Sequence, residues 1–338
     1  MKILFYTVFY PSVGGMEAIA EILADEWTRS GHEVTIVTRV LEDPRVAKRT
    51  FAYPIVRNPG VREFLRLTRG ADVFMQNGIS LRGLWPLLLV RRPYVVKHGI
   101  WYDSPEDTWG FLKKWVSRYA VNIAVSQAVS RTLPGSSTII YNPYDDGVFY
   151  IRDGIARTRD LAFVGRLVSD KGVKLLLQAM AQLKQRGVCP SLTVIGDGPE
   201  RAALEQQVSD TGLTGQVIFV GRKRPAEIAQ LLSAHKILVV PSRWNEPFGI
   251  VALEGIACGC AVIGSAGGGL PEAMGACGVT FSNDNVEELA DRIFTLLGDD
   301  AARLQLLTHG PAHLRDLHAT KVATRYLAVI QQAVARKN

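Results

Sequence analysis

The feature that most constrains this fold is a short apolar run followed by a helical pattern, repeated along the chain. In the first half the apolar runs are Ile3–Phe9, Val34–Thr38, Val73–Gln76, Tyr94–Lys97, Ile123–Val125 and Thr138–Tyr141. The series starts again with Leu161–Val164, Leu192–Ile195, Val217–Val220, Ile237–Val240, Ala261–Ile263 and Val279–Phe281. Apolar strands that alternate with helices indicate parallel sheets covered on both faces. The pattern predicts an α/β protein with two doubly wound, Rossmann-like domains.

The domain boundaries follow from where this pattern stops. The chain has 338 residues, more than the about 100–200 typical of one domain. A polar stretch, Tyr144–Arg159, interrupts the alternation, so we expect domains at 1–155 and 156–313. The remaining segment, 314–338, contains an amphipathic helical pattern from Leu314 to Ala335 that we expect to pack back on the first domain.

Composition excludes several classes of protein. With 47% hydrophobic and 21% charged residues, the chain is neither disordered nor fibrous. Its apolar stretches, such as Leu84–Val90, are far shorter than the roughly 18 residues that span a bilayer. No small-residue cleavage site follows the apolar start, which favours a buried strand and a cytoplasmic protein. The four cysteines form no C-x-x-C pair and are expected to be small, buried and reduced.

Positive charge is concentrated in one segment. Residues 45–97 hold eleven basic and two acidic residues, a field that attracts nucleic acid, phosphorylated molecules or anionic lipid. The segment lacks the stacking aromatics of nucleic-acid modules, so no nucleic-acid partner is expected. Two basic clusters adjoin apolar residues: Arg62, Arg66 and Arg69 beside Phe64, Leu65 and Leu67, and Lys113, Lys114 and Arg118 beside Phe111, Leu112 and Trp115. They predict an anionic membrane surface as partner; the alternative is a solvated helix whose apolar residues belong to the core.

Glycines and cations follow several of the predicted strands. Ligands of open parallel sheets bind outside the carboxyl ends of the strands, so we expect the site in a cleft between the two sheets. Gly14-Gly15 opens a helix after the first strand, and Gly196-Asp197-Gly198 forms a turn after a later one. Arg166 and Lys171 flank a loop that suits a phosphate group. Taken singly, each of these segments is equally explained by a tight turn or a solvated loop.

The most informative segment is 241–254. Pro247 disfavours helix at Glu246, which therefore lies in the loop at a strand's end. Glu254 lies inside the helix that follows, among apolar neighbours. Carboxylates accept hydrogen bonds from paired hydroxyl groups, as the acidic residue of dinucleotide sites does with ribose. The unpaired N–H groups at the helix start, Phe248–Val251, would meet an anion or hydroxyls.

The order of these motifs resembles one enzyme family. Glu246 and Glu254 form an E-x7-E pattern, followed by Gly259-Cys260-Ala261-Val262-Ile263 and Gly267-Gly268-Gly269-Leu270-Pro271-Glu272. The chain resembles the retaining nucleotide-sugar glycosyltransferases of family four, also called glycosyl transferases group 1. The resemblance implies the GT-B fold, in which two Rossmann-like domains face each other across a cleft, the first binding the acceptor and the second the nucleotide sugar.

The resemblance also implies roles for individual residues. The donor-binding residues are Gly15, Arg166, Lys171, Gly198, Glu246, Phe248, Gly249, Ile250 and Glu254, and the catalytic ones are His98, Glu246, Arg166 and Lys171. Arg166 and Lys171 would neutralise the donor diphosphate, and Glu254 would accept the ribose hydroxyls. Glu246 would contact the donor sugar, and His98 would lie near its anomeric carbon. No D-x-D motif occurs, so neither a metal nor a cofactor is expected.

The expected activity is transfer of a sugar from a UDP- or GDP-sugar to a hydroxyl of a glycan or lipid-linked acceptor. The setting would be envelope polysaccharide or glycolipid synthesis, in the cytoplasm or at the inner face of the cytoplasmic membrane. Glu246 is a nucleophile candidate by chemistry, whereas the resemblance implies front-face substitution. The alternatives are an epimerase or phosphorylase of the same fold and a Rossmann-type oxidoreductase, whose G-x-G-x-x-G fingerprint is missing.

Overall fold

The structure, a computed structural model, describes residues 1–11, 14–44, 46, 48–103 and 108–336. Arg45, one of the basic residues counted above, lies outside them. The chain divides into two compact units. Unit 1 comprises Met1–Pro143 and Leu317–Asn338, and unit 2 comprises Tyr144–Asp316.

Unit 1 contains a seven-stranded parallel sheet. Its strands are β1 (Lys2–Tyr6), β2 (Glu33–Thr38), β3 (Ile55–Arg57), β4 (Val73–Asn77), β5 (Tyr94–His98), β6 (Val121–Ala124) and β7 (Thr138–Ile139), in the order β3-β2-β1-β4-β5-β6-β7. The helices between them are α1 (Gly15–Arg29), α2 (Val61–Gly70), α3 (Leu81–Leu89), α4 (Gly110–Ser117) and α5 (Gln127–Ser130). The first strand ends before the predicted Phe9 because the Phe9 ring leaves the sheet to pack on Phe51 and Tyr53.

Unit 2 contains a six-stranded parallel sheet. Its strands are β8 (Arg159–Val164), β9 (Leu192–Ile195), β10 (Val217–Gly221), β11 (His235–Val240), β12 (Ala261–Ser265) and β13 (Gly278–Phe281), in the order β10-β9-β8-β11-β12-β13. The helices are α6 (Val173–Gln185), α7 (Arg201–Asp210), α8 (Pro225–Ser233), α9 (Ile250–Ala257), α10 (Leu270–Met274), α11 (Val286–Gly298), α12 (Asp300–Thr308) and α13 (Gly310–Arg315). Buried residues of the strands, α6 and α11 form one continuous apolar core.

The division between the units lies earlier in the chain than the expected boundary at 155/156. The polar stretch that suggested a linker is fastened to unit 2. Arg157 donates hydrogen bonds to the carbonyl oxygens of Cys258 and His235, the latter at 2.8 Å. One arginine can donate to several carbonyl oxygens at once. Arg157 therefore attaches this polar segment to unit 2, and the segment is not a flexible linker there.

The last described helix, α14 (Ala319–Ala335), belongs to unit 1. The indole nitrogen of Trp27, on α1, donates to the Ala323 carbonyl at 3.1 Å, and its ring lies 6.3 Å from that of Tyr326. The sequence predicted one helix from Leu314 to Ala335, but the chain breaks between α13 and α14, where Leu317 is buried.

Two further expectations concern the membrane and the cysteines. None of the helices described here has both the length and the apolar character that crossing a bilayer requires. Cys258, Cys260 and Cys277 are buried free thiols, as predicted. Cys189 is exposed, which corrects the expectation that all four are buried.

The strand orders define where ligands are expected to bind. In unit 2 the direction in which the chain adds strands reverses between β8 and β11, and in unit 1 it reverses between β1 and β4. Such reversals open a crevice at the carboxyl ends of the strands, the usual ligand position in this kind of sheet. The loops after β8 and β11, and those after β1 and β4, are therefore the parts of each unit to inspect.

Candidate functional site

The loops after β8 and β11 bring Lys171 and Glu246 together at the strand reversal of unit 2. The Lys171 Nζ lies 2.6 Å from Glu246 Oε1, and the Ser242 hydroxyl donates to the same oxygen at 2.7 Å. Glu246 is only 8% exposed, so its charge is balanced mainly by these two partners. The arrangement holds the Lys171 ammonium group at the carboxyl edge of the sheet, where another anion can replace Glu246 as its partner.

Gly172 allows these two loops to approach. Its φ of 70° is left-handed, and a Cβ there would overlap the carbonyl oxygen of Pro241. Beside it, the Arg243 N–H donates to the Asp170 carbonyl at 2.9 Å. A side chain at Gly172 would therefore separate Lys171 from its carboxylate partner.

The backbone of Glu246 is held from the other side by the glycine run after β12. The Gly269 N–H donates to the Glu246 carbonyl at 2.7 Å. Gly268 has a φ of 73°, and a Cβ on it would overlap that same carbonyl oxygen. The run predicted as part of the family pattern thus fixes the loop that carries the carboxylate.

Glu254 is the fifth residue of α9, close to the start of that helix. Gly249 precedes the helix with a φ of 101°, and the Phe248 side chain is buried. These two residues and Ile250 can therefore contact a ligand only through backbone atoms or a small part of a side chain. Burial raises the pKa of Glu254 to about 7, with a smaller contribution from the negative charge of Asp145. The Glu254 carboxyl makes no hydrogen bond to any residue that the structure describes. It remains available to hydroxyl donors.

Arg166 lies on the same edge, directly after β8. It is exposed and makes no ion pair within the described part of the chain. The next residue, Leu167, donates its N–H to the Asp197 carbonyl at 3.0 Å, and a Cβ on Gly198 would overlap the Leu167 carbonyl. The loops after β8 and β9 are therefore packed backbone to backbone, which presents Arg166 from a fixed position.

His98 ends β5 in unit 1, but its ring does not face solvent. It is fully buried, with Nδ1 2.9 Å from the Tyr102 hydroxyl and Nε2 2.8 Å from Asn122 Oδ1. Because the amide nitrogen of Asn122 donates to the Ser117 carbonyl, its Oδ1 must accept, and Nε2 carries the proton. Burial lowers the His98 pKa to about 4. Direct contact of this ring with a sugar stays a prediction, and it would require the loss of one of these hydrogen bonds.

The same edge of unit 1 buries a lysine that sequence reasoning did not select. Lys97 is 1% exposed, and its Nζ lies 3.3 Å from Asn77 Oδ1. Burial lowers its pKa to about 7. Gly15, by contrast, is the exposed first residue of α1. Its backbone N–H, which the resemblance assigns to the diphosphate, lies at the amino end of that helix.

Two residues at the unit 2 edge also escaped sequence reasoning. The Ser242 hydroxyl donates to the Glu246 carboxylate. Its position four residues before Glu246 in the same segment was the sequence signal that could have identified it. Asp145 raises the pKa of Glu254 from a segment read as linker, and no local pattern marks it. No group of three or more His, Cys, Asp or Glu residues placed to hold a metal ion occurs in the ranges that the structure covers.

The two basic clusters of unit 1 differ in the structure. Arg62, Arg66 and Arg69 are exposed on α2, but Phe64, expected to supply apolar surface beside them, is buried among aromatic rings. On α4, Phe111 is 85% exposed, and Leu112 and Trp115 are also exposed. Lys114 pairs there with Asp103, and Lys113 is half-buried. Three exposed apolar side chains of one helix therefore adjoin the second cluster, whereas beside the first cluster Phe64 is buried and Val61 is exposed.

Comparison with known proteins gives a family match for the second part of the chain. The family model described as "Glycosyl transferases group 1" matches residues 155–311, which contain the Lys171, Glu246 and Glu254 positions. The resemblance to this family inferred from the sequence is confirmed over these residues.

Curated relatives of this chain have the names of glycosyltransferases. It is 27% identical over 330 residues to the GDP-mannose-dependent alpha-(1-6)-phosphatidylinositol monomannoside mannosyltransferase of Mycolicibacterium smegmatis, covering 87% of this chain and 81% of that one. It is 31% identical over 222 residues to the D-inositol 3-phosphate glycosyltransferase of Corynebacterium glutamicum, covering 62% and 53%. These similarities make the chain a relative of both enzymes without assigning it either substrate.

Solved structures show the same fold. Anabaena HepE in complex with UDP and glucose aligns with a TM-score of 0.80 at 20% identity, covering 97% of this chain and 99% of that one. Sucrose-phosphate synthase from Thermosynechococcus elongatus aligns with a TM-score of 0.81 at 22% identity, covering 99% of each chain. Together with the two parallel sheets, this confirms the predicted GT-B fold class of the glycosyltransferase.

Proposed function

We propose that this glycosyltransferase moves a sugar, with retention of anomeric configuration, from a nucleotide-diphosphate sugar to a hydroxyl of a glycan or lipid-linked acceptor. The observation that carries the proposal is the Lys171–Glu246–Ser242 cluster at the strand reversal of unit 2, with the partly buried Glu254 on the adjoining helix. Diphosphate, sugar and ribose each have a partner of suitable chemistry on one edge. The relatives named for GDP-mannose and the structures holding UDP support a nucleotide donor.

Donor binding proceeds by an exchange of partners. The incoming diphosphate competes with Glu246 for the Lys171 ammonium, and Arg166 supplies a second cation. Once Lys171 turns to phosphate, the Glu246 carboxylate, still bound by Ser242, accepts hydroxyls of the donor sugar. The amide groups of Gly15 in unit 1 and of Gly198, Phe248, Gly249 and Ile250 in unit 2 supply the remaining donor contacts. Glu254 accepts the ribose hydroxyls.

The reaction breaks the bond between the anomeric carbon and the diphosphate oxygen and forms one to the acceptor oxygen. Arg166 and Lys171 stabilise the departing diphosphate, the main electrostatic task of the site. With the donor bound, Glu246 accepts hydrogen bonds from the Ser242 hydroxyl and from hydroxyls of the donor sugar, which makes it a weak nucleophile. A front-face substitution follows, in which the acceptor proton passes to an oxygen of the leaving phosphate.

No metal or other cofactor is needed in this scheme. The two cations, Arg166 and Lys171, neutralise the diphosphate as Mg²⁺ does in sites where carboxylates hold the metal ion. In this scheme His98 lies beside the donor sugar. Its ring gives up its hydrogen bond to Tyr102 or Asn122 and forms one to a sugar hydroxyl instead.

A donor panel tests the proposal. Binding of UDP and GDP is measured by calorimetry, and transfer or hydrolysis is followed with UDP-glucose, UDP-galactose and GDP-mannose. We expect one nucleotide to bind and its sugar to be released. Binding of a nicotinamide cofactor or an oligonucleotide in place of both nucleotides would overturn the assignment and favour the oxidoreductase or nucleic-acid alternatives.

We further propose that the enzyme works in envelope polysaccharide or glycolipid synthesis, in the cytoplasm at the inner face of the membrane. The exposed Phe111, Leu112 and Trp115 of α4 would insert among lipids, and Lys113 with the arginines of α2 would meet anionic headgroups. Each basic residue near such a surface contributes about 1 kcal/mol. One relative's phosphatidylinositol-based acceptor is consistent with this setting.

Sedimentation with vesicles tests the membrane proposal. We expect binding to anionic vesicles at low salt, loss of that binding in Phe111→Ser, and a weaker loss in Arg62→Glu combined with Arg66→Glu. The control is Arg131→Glu, an exposed arginine of unit 1 away from both clusters. Equal binding to neutral and anionic vesicles, or binding to neither, contradicts the proposal.

A further inference from the structure

Unit 1 contains a groove of about 600 Å³ that the donor proposal does not use. Its described lining residues are Ile79, Ser80, Leu81, Arg82, Trp109 and Lys113. The first four lie in the loop after β4 and the start of α3, and the other two belong to α4 and the residue before it. The groove thus adjoins the β1/β4 strand reversal of unit 1, where a ligand of this sheet is expected.

The groove combines positive charge with an aromatic face. Arg82 is exposed and makes no ion pair with any residue in the described ranges. Lys113 brings a second cation, and Trp109 is 62% exposed. The Ser80 hydroxyl caps no backbone N–H of α3. Cations recognise phosphate or carboxylate groups, and an indole ring beside them offers a flat apolar surface for the C–H face of a hydroxylated ring.

The wall that carries Arg82 is held in place by buried hydrogen bonds. The Ile79 N–H donates to the Tyr102 hydroxyl at 3.1 Å, and the Ser80 N–H donates to Gln76 Oε1 at 3.0 Å. The amide of Gln76 donates back to the Ser80 carbonyl at 3.2 Å. Arg82 therefore projects from a fixed backbone, so a ligand needs to order only its side chain.

These polar contacts also connect the groove to the buried residues of this edge. Tyr102, which accepts from Ile79, is also the partner of His98 Nδ1. The burial of the His98 ring is thus part of what supports the groove wall. Tyr102 and Gln76 hold the loop at Ile79 and Ser80, shortly before the exposed Arg82.

We propose that this groove binds the acceptor, and that the acceptor is an anionic carbohydrate: a hydroxylated ring bearing a phosphate group. Arg82 and Lys113 bind the phosphate, Ser80 binds a ring hydroxyl, and Trp109 stacks on the ring. The proposal rests on the proposed transfer activity and names the class of its acceptor. The same phosphate chemistry occurs in a soluble phosphorylated polyol and in a lipid headgroup, and the experiment separates the two.

Direct binding tests this site without relying on transfer. D-inositol 3-phosphate, inositol and inorganic phosphate are titrated into the full chain by calorimetry, in the presence and absence of UDP and GDP. We expect the phosphorylated ring to bind more tightly than inositol or phosphate alone. Arg82→Ala should weaken it by about ten- to a hundredfold, and Trp109→Ala should reduce the preference over inorganic phosphate.

Control variants make the outcome specific. Arg131→Ala, an exposed arginine of the same unit, should leave ring-phosphate binding unchanged, and Arg82→Ala should leave nucleotide binding unchanged. Binding to phosphatidylinositol vesicles that exceeds binding to other anionic vesicles, and loses this excess in Arg82→Ala, supports the groove and identifies a lipid headgroup as the source. If the chain binds a nucleotide but neither form of the phosphorylated ring, or if Arg82→Ala binds the ring as wild type does, the groove proposal is wrong while the donor proposal stands. If the ring binds and nucleotides do not, the donor proposal fails instead.

Discussion

The carboxyl edges of the two sheets differ in where they keep their titratable groups. In unit 2, Lys171 and Glu246 lie on the edge itself and bind each other. In unit 1, Lys97 and His98 are turned into the interior and are fully or almost fully buried, while exposed cations such as Arg82 lie on the helix after the neighbouring strand β4. The first arrangement offers a charged pair ready for exchange, and the second offers a surface whose side chains can vary without disturbing the sheet.

The largest expected effect comes from removing the charged groups of unit 2. Lys171→Ala and Glu254→Ala should each reduce transfer about ten- to a hundredfold or more with the fold intact, because a hydrogen bond to a charged group contributes about 1.5–3 kcal/mol. Turnover at subsaturating donor is the measurement, with circular dichroism as the test of folding. Lys174→Ala, an exposed lysine at the start of α6, is the matched control. Near-normal turnover in a folded Lys171 or Glu254 variant would show that the charged edge of unit 2 is not the donor site.

The pH dependence of donor binding should be the next largest effect. The pKa of Glu254 is raised to about 7, so the carboxyl is protonated below that pH and is then a poorer acceptor for paired hydroxyls. Nucleotide affinity should therefore rise as the pH increases through about 7. Glu254→Gln should bind weakly with little pH dependence across that range. A wild-type affinity that is flat between pH 6 and 8 contradicts the role given to this residue.

A smaller effect is expected from the residue that positions Glu246. Ser242→Ala removes a hydrogen bond whose net contribution is typically about 0.5–1.5 kcal/mol, so the donor KM should rise severalfold. Ser242→Thr, which keeps the hydroxyl, should restore much of it. Ser265→Ala is the control, since Ser265 Oγ is buried without a partner among the described residues. An unchanged KM in Ser242→Ala would mean that Lys171 alone positions the carboxylate.

No effect is expected from chelation. If Arg166 and Lys171 replace a metal at the unit 2 edge, activity after exhaustive treatment with EDTA should equal that of the untreated enzyme. Loss of activity that Mg²⁺ or Mn²⁺ restores would show that Arg166 and Lys171 do not suffice and that a metal ion also helps to neutralise the diphosphate.

The sequence was most informative where local pattern decides structure. Leu192–Ile195 has the predicted bounds, and the predicted Val73–Gln76 and Tyr94–Lys97 are each one residue shorter than the strand, because each is an apolar run enclosed by glycine, proline or polar residues. β3 and α3 were not predicted. The first has only three residues, and the second contains Pro86, which usually ends a helix.

The site was predictable as a set of residues but not as a set of contacts. Glu246, Lys171 and Glu254 could be selected because each lies in a motif beside a strand end. The burial of His98 could not, since Tyr102 and Asn122 reach it from other elements. The attachment of the segment 144–158 to unit 2 could not be predicted for the same reason, because the carbonyls that bind Arg157 lie far along the chain.

The return of α14 to unit 1 has a consequence for biosynthesis. Trp27 and Tyr326 pack together although the whole of unit 2 separates them in the chain. During translation, unit 2 emerges as one uninterrupted segment and can fold as soon as it leaves the ribosome. Unit 1 must wait with the Trp27 side of α1 uncovered until α14 is made. The half of the enzyme that is synthesised first is therefore the half that finishes folding last.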